Sequence, residues 1–351
     1  MTKKRAIVCG VDFFYYVDGY AYALEKLGYE IKVIKFKRNE DTLKDKITKI
    51  FKGNEYKNDF CEKQVSSLLN LIDEFKPEEI YSISSNYYYE FVNKKTLKEL
   101  KQKKIKTNYI LIDSIKRYSE YPHNVEYYDN VFVFEKNDIS FIQDKYHIKA
   151  RYMPIGVAEN IYCQNISQEH KEYDISFVGF SNKDRLPILE KIAKFCHDKG
   201  LKFIVVGIYW THDHWWYYFT KQMKLRFKYP HLYNIVTNNV MINEEVANLY
   251  NNSKISLNIH ISMHSGINPR TFEIMGNSNF QLCDNRLDMN SFGLKDGENI
   301  ALFQSADDCI NKIDYYLQHE SERKAIAKKG CKFVRENYTM SKILKKIIKE
   351  Q

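Results

Sequence analysis

The chain reads as an α/β protein of two domains, each a parallel sheet with helices on both faces. Three observations predict this. Short apolar runs alternate with segments whose apolar residues fall at helical spacing, the order of parallel strands joined by crossover helices. The pattern stops over 152–173, a polar run after MPIGV, and restarts at Asp174. The length, 351 residues, suits two domains of ordinary size, each able to bury a core. The expected boundaries are 1–160 and 161–335, with 336–351 a C-terminal helix packing back on the first domain.

In order, 6–11 is a strand, and 12–18 a loop into a helix over 19–27 that Gly28 ends. Residues 30–36 alternate as a second strand, and 39–58 are charged and partly helical. Val65, Leu68, Leu69, Ile72 and Phe75 keep helical spacing until Pro77. Strands follow at 80–84 and 109–112 around a lysine-rich helix, then a strand at 131–134 and a helix near 138–145. In the second half, 174–178 and 202–206 are strands around a helix at 184–198. The aromatic segment 208–219 resists assignment. A helix at 243–251 carries Glu244 and Glu245 in its first turn, where acids suit the dipole. Strands at 255–259 and 280–283 lie in the central motif, a strand near 300–303 follows it, and helices at 307–318, 320–329 and 340–349 close the chain.

Hydrophobic residues make up 44% and charged residues 28%, which excludes a disordered chain. No apolar run approaches the roughly 18 residues of a membrane span, and MTKKRAIVCGVDFF lacks the apolar core of a signal peptide. The seven cysteines include no C-x-x-C pair and read as reduced thiols of a cytoplasmic protein. The net charge of +9 could attract nucleic acid or an anionic membrane, but the lysines are spread without a dense block. Nucleic acid is therefore not an expected partner.

The stretch 254–284 carries the chemistry. A strand at 255–259 leads through a polar loop, 260–268, into a short helix. Asn268 stands at its cap, Pro269 at its first position, and Gly276 and Asn277 at its end. First-turn N–H groups without internal partners suit an anion. Arg270 adds a fixed charge and Glu273 shares its helix face: a cation for phosphates and a carboxylate for sugar hydroxyls. The same spacing also describes a solvated i,i+3 ion pair, and the residues leave both readings open. Ligands of open α/β sheets sit beyond the carboxyl ends of the strands. That rule singles out the loops 10–16, 84–88, 179–185, 207–216 and 260–268, which two facing domains would gather around one cleft.

Other candidates weigh less. His212, Asp213 and His214 lack a third ligand at a recognisable spacing, so no metal is expected. Trp210, Trp215 and Trp216 could stack on a sugar or simply pack. Phe13, Phe14, Tyr15 and Tyr16 could line an acceptor pocket, dip into a membrane or cover the N-terminal core. The ILKKIIKE end could lie on an anionic membrane or pack on the domains.

Taken together, YDNVFVFEKNDI with MPIGV, YDISFVGFSNKDR, EEVANLYNNSKISLNIH, NPRTFEIMGNSNFQLCDN and YYLQHESERKAIAKKG resemble the CgeB-like glycosyltransferases of the GT-B superfamily over 128–338. The resemblance implies two Rossmann-like domains facing across a cleft, with a nucleotide-sugar held mainly by the second. It places Glu273 on the nucleotide ribose, and Arg270, Arg185 and the loop with Gly179 and Asn182 on the phosphates. Val240 and Met241, in the loop 239–242, fall at the base, and Gly207, His260, Gly266 and Asn268 fall among the other donor contacts. Related retaining families carry an E-x7-E pair, of which Glu273 is the second member. The first falls on Ser265, a departure for which His264 or the backbone at Gly266 could substitute. An inverting reaction needs a base, and Asp12 is the best placed carboxylate, though a turn residue would look the same. Tyr15, Tyr16 and Asn86 fall on the acceptor side. The expected protein is a metal-independent glycosyltransferase without a cofactor, acting in cell-surface or spore glycan synthesis. It would take a UDP-, GDP- or dTDP-linked sugar and a saccharide, lipid-linked saccharide or protein acceptor. Its expected place is the cytoplasm, with the inner face of the membrane left open. The rivals are a nucleotide-sugar epimerase and a non-catalytic nucleotide-sugar or carbohydrate-binding module.

Overall fold

A computed structural model describes residues 3–11, 15–36, 54–84, 92–115, 124–164, 170–207, 210, 215–237, 239–262 and 266–349, with the side chains of 54–63 and 215–221 outside the description. The chain divides into two compact units, Met1–Ile155 with Met340–Gln351, and Gly156–Thr339.

The first unit contains β1 (Arg5–Val11), α1 (Tyr16–Lys26), β2 (Glu30–Phe36), α2 (Asn54–Phe75), β3 (Glu79–Ser84), α3 (Lys94–Gln102), β4 (Lys106–Leu111), β5 (Asn130–Val133), α4 (Asn137–Tyr146) and β6 (Ala150–Tyr152). Its six strands are parallel, in the order β2-β1-β3-β4-β5-β6. β1 lies second from the edge and reads as a nearly unbroken apolar run because helices cover both its faces. Ile7, Cys9, Leu68, Ile72, Leu97 and Leu100 form the core on one side.

The second unit runs α5 (Glu159–Tyr162), β7 (Tyr173–Val178), α6 (Leu186–Lys199), β8 (Phe203–Val206), α7 (Trp215–Lys228), α8 (Pro230–Ile235), β9 (Val236–Thr237), α9 (Asn243–Asn251), β10 (Ser253–Asn258), α10 (Pro269–Gly276), β11 (Gln281–Asp284), β12 (Ala301–Phe303), α11 (Ala306–Gln318) and α12 (Glu320–Asn337). Its parallel sheet has the order β9-β8-β7-β10-β11-β12, which numbered within the unit is 3-2-1-4-5-6. Ile175, Phe177, Val205, Ile255, Leu257 and Leu282 from the strands pack with Leu189 and Ile192 of α6 and Ile313 of α11. The last helix, α13 (Met340–Lys349), belongs to the first unit and packs on α1. Its Met340, Ile343, Leu344 and Ile347 are buried there, so this apolar stripe is not left for a membrane.

The structure departs from the sequence expectations in places. β6 and β9, three and two residues long, are too short to show a period. The aromatic segment becomes helical from Trp215. α1 begins at Tyr16 rather than Gly19, and α12 runs on to Asn337. Most of the expected helix at 39–58 lies outside the described residues. Among those described, no helix is long and apolar enough to cross a membrane.

Candidate functional site

In the second unit the strand order reverses between β7 and β10, and such a reversal opens a crevice beyond the strand ends. The loops there are 179–185 and 259–268.

Asn268 and Pro269 fix where α10 starts. Asn268 Oδ1 accepts from the Thr271 N–H at 3.1 Å, and Pro269 fills the first helical position, where an N–H has no helical partner. Asn258, the last residue of β10, holds this cap in turn. The two amides pair, each Nδ2 donating to the other's Oδ1 at 3.1 and 2.9 Å, and Asn258 Nδ2 also donates to Thr271 Oγ1 at 3.0 Å. Asn258 is only 1% exposed, so these are bonds that water cannot replace.

The loop leaving β10 is tied at each of its first residues by a charged side chain from elsewhere. Arg185 Nε donates to the Ile259 carbonyl at 2.8 Å and Nη1 to that of Phe180 at 3.1 Å. Asp284 Oδ1 accepts from the His260 N–H at 2.9 Å and pairs with Nδ1 of the ring at 2.7 Å. Arg286 donates to the Ile261 carbonyl at 3.2 Å and, through Nε, to Asp284 at 3.0 Å. Asp184 Oδ2 accepts from the N–H and the hydroxyl of Ser262 at 3.0 and 2.6 Å.

His260 is buried, and its Nε2 accepts from the Asn268 N–H at 3.1 Å. That bond requires the proton on Nδ1 and a neutral ring. Burial lowers its pKa below that of an ordinary histidine despite Asp284, and Arg286 and Arg185 push the same way. For Asp284, burial opposes ionisation, but the His260 bonds and the Arg286 charge hold it below the usual carboxylate range. Burial, then Arg270, brings Arg185 down to about 10, still charged at neutral pH. The Ser262 bonds hold Asp184 low.

Arg270 donates to the hydroxyl of buried Tyr250 at 3.1 Å. Burial works against its charge, but Tyr250, Glu273 and Tyr162 raise its pKa. Glu273 is 5% exposed. A solvated surface pair is therefore not what the two residues form.

Gly179 and Gly207 bring the ends of β7 and β8 together: a Cβ on Gly207 would lie 2.0 Å from the Gly179 carbonyl oxygen. Buried Trp210 donates to that same oxygen at 2.8 Å and meets Phe177 edge-on, a packing role. Asn182 Oδ1 accepts from the Asp184 N–H at 2.8 Å, shaping the turn into α6. Beyond β9, Val240 is 71% exposed and Met241 half-buried.

The structure thus brings Gly179, Asn182, Arg185, Gly207, His260, Gly266, Asn268, Arg270 and Glu273 to one edge of the second sheet or the helix that follows it. In the first unit, Tyr15 and Tyr16 are 3% and 9% exposed, with ring centroids 4.7 Å apart. They pack in the core rather than line an open surface. Asp12, Asn86, His264 and Ser265, like His212, Asp213 and His214, lie outside the described residues. Sequence reasoning missed Asp184, Asn258, Asp284 and Arg286. The pair Asp284 and Arg286 at the end of a strand was the available signal.

Among the described residues, His260, Cys283 and Asp284 place three ligand-type atoms within 4.8 Å of one another. They do not suit a metal. Burial pushes the Cys283 thiol well up, keeping it protonated, Asp284 already accepts from His260 and Arg286, and the charges of Arg185 and Arg286 reach the ring.

Residues 185–349 match the family described as Glycosyl transferase-like. No curated protein matches the sequence. Among solved structures, a glycosyltransferase from Rickettsia africae is similar at 14% identity and a TM-score of 0.63, over 99% of this chain and 98% of that one. Anabaena HepE in complex with UDP-glucose is similar at 11% identity and 0.60, over 99% and 98%. A UDP-GlcNAc 2-epimerase from Neisseria meningitidis, bound to UDP-GlcNAc, is similar at 13% and 0.58, over 99% and 100%. The fold is that of the GT-B glycosyltransferases.

Proposed function

We propose that the chain is a glycosyltransferase that moves a sugar from a nucleotide-sugar donor to a saccharide, lipid-linked saccharide or protein. The observation that carries this reading is the start of α10. A capped helix N-terminus, with Arg270 and a buried Glu273 on its first two turns, stands at the strand-order reversal of a Rossmann-type sheet. The similarity of Anabaena HepE, solved with UDP-glucose, makes a uridine diphosphate sugar the first donor to try. In this reading Glu273 meets the ribose, the loop 239–242 reads the base through its backbone, and α10 with Arg270 faces the phosphates. Arg185, whose Nε and Nη1 are engaged with carbonyls, adds its charge from beneath. Breaking the glycosidic bond leaves extra negative charge on the nucleotide diphosphate. Fixed positive groups stabilise that charge, and removing one such donor in comparable sites costs about 2.7–4 kcal/mol. Asp12 and His264 stand as the candidates for direct contact with the reacting sugar.

A thermal-shift screen with UDP, GDP, dTDP and their sugar conjugates tests the reading, because a ligand that binds only the folded state raises its melting temperature. One nucleotide series should stabilise the protein, and Glu273→Gln should weaken that series about tenfold or more, as expected when a charged hydrogen bond is lost. No shift with any nucleotide would overturn the reading. The Neisseria epimerase shares this fold, so the product decides the rival: conversion of the donor sugar with no acceptor present would favour an epimerase.

A further inference from the structure

We propose that His260 is a positioning residue of the donor site: its unprotonated Nε2 holds the N-cap residue of α10, and the helix start takes its donor-binding form only while the imidazole is neutral. The inference rests on the glycosyltransferase reading above.

Each ring nitrogen has one defined partner. Nδ1 is 2.7 Å from Asp284 Oδ1, which also accepts the His260 backbone N–H, so the proton belongs on Nδ1. Nε2 is then an acceptor, and it meets the Asn268 N–H at 3.1 Å. Asn268 is the residue whose side chain caps α10 and pairs with Asn258. The imidazole therefore links the end of β11 to the residue on which the helix start depends.

Protonation would put an N–H on Nε2, facing the N–H of Asn268. Two donors cannot share that contact, so Asn268 must move and carry the cap with it. The groups around the ring set how readily this happens. Asp284 of β11 favours the cation. Arg286, just beyond β11, and Arg185, at the head of α6, oppose it. Cys283 offers a protonated thiol 3.8 Å from Nδ1, and the cap residue of α10 that bonds Nε2 is the uncharged Asn268. With the ring buried, the balance favours the neutral form.

Two substitutions separate the nitrogens. His260→Gln places an amide near Nε2 and does not titrate, whereas His260→Asn places one near Nδ1 and leaves the Asn268 N–H without an acceptor. UDP-glucose is a suitable probe, because its diphosphate diester carries no proton that titrates between about pH 8 and pH 5. Calorimetric titration from about pH 8 downward should show the wild-type affinity falling about tenfold once the ring takes up its proton, the size of one buried hydrogen bond. H260Q should keep the neutral-pH affinity to within a few-fold and lose the acid limb. H260N should bind about tenfold more weakly at every pH. An H260Q protein that binds as weakly as H260N, or that keeps the wild-type acid limb, overturns the proposal.

Nitrogen NMR of the ligand-free protein is the independent check. The proposal requires an unprotonated Nε2 at neutral pH, a midpoint below the ordinary 6.5, and an Asn268 amide signal that moves with that midpoint. A proton on Nε2 at neutral pH refutes it. If UDP-glucose and the other nucleotides all fail to bind, the donor reading falls, and the imidazole measurement still decides whether His260 holds the helix.

Discussion

Removing the Asn268 side chain should unseat the start of α10, and the cost can be worked from its contacts. Asn268→Ala deletes an N-cap, worth about 1 kcal/mol. It also leaves Asn258 Oδ1 without its 2.9 Å donor in a residue only 1% exposed, which adds about 1–3 kcal/mol. The expected loss is about 2–4 kcal/mol, or roughly 5–15 °C in the melting temperature of a domain this size. Asn268→Ser keeps a capping oxygen and loses only the Asn258 pair, so it should recover about 1 kcal/mol. Asn258→Ala combined with Asn268→Ala should cost less than the sum of the single changes, because neither amide is then left orphaned. Tryptophan fluorescence is the assay. All three tryptophans, Trp210, Trp215 and Trp216, belong to the second unit, so the signal reports that unit's unfolding. An N268A protein within about 0.5 kcal/mol of wild type, or an N268S protein no better than N268A, would refute the reasoning.

Three further outcomes are expected. His260 and Asp284 both have folded-state pKa values below their ordinary 6.5 and 3.8, so the folded state binds fewer protons. Stability should therefore hold above 6.5, fall as the pH drops through the histidine step, and fall again below 3.8. Urea midpoints against pH would show both steps, and H260Q should remove the upper one and shrink the lower, because Asp284 loses the bond from the ring Nδ1. Arg185→Lys cannot reproduce the planar fork that reaches Ile259 and Phe180 together, and should cost about 1–3 kcal/mol in the same fluorescence melts. Gly207→Ala drives a Cβ to 2.0 Å from the Gly179 carbonyl, and should lose at least the upper end of the ~1–3 kcal/mol typical of overpacking, read as a lower melting temperature or poor soluble yield.

The α/β class was legible because strand and helix differ in apolar period, and that period is local. The start of α10 was legible for the same reason. A cap and a proline act within one turn, and Asn268 and Pro269 stand where the sequence puts them. The end of α10 at Asn277, and Arg270 and Glu273 on one helix, needed nothing beyond neighbouring residues. β6 and β9 were not legible, since strands of three and two residues exist only through the partners that flank them.

What the tertiary structure decided is how that helix start is held. Arg185 reaches Ile259 across 74 positions of sequence, Asp184 reaches Ser262 across 78, and Asp284 reaches His260 across 24. Apart from the Asp284 and Arg286 pair at a strand end, nothing in the local pattern distinguishes these charges from solvated ones, because their partners are backbone and side-chain groups of a loop that sheet order alone brings near. His260 read as a donor contact on position. Folded, it has Asp284 on one nitrogen and Asn268 on the other. Sequence by itself determined the longer strands and most helices, because propensity, capping and period act over a few residues. The strand order of the second sheet determined which charges meet, because burial and long-range hydrogen bonds exist only once β7, β10 and β11 lie side by side.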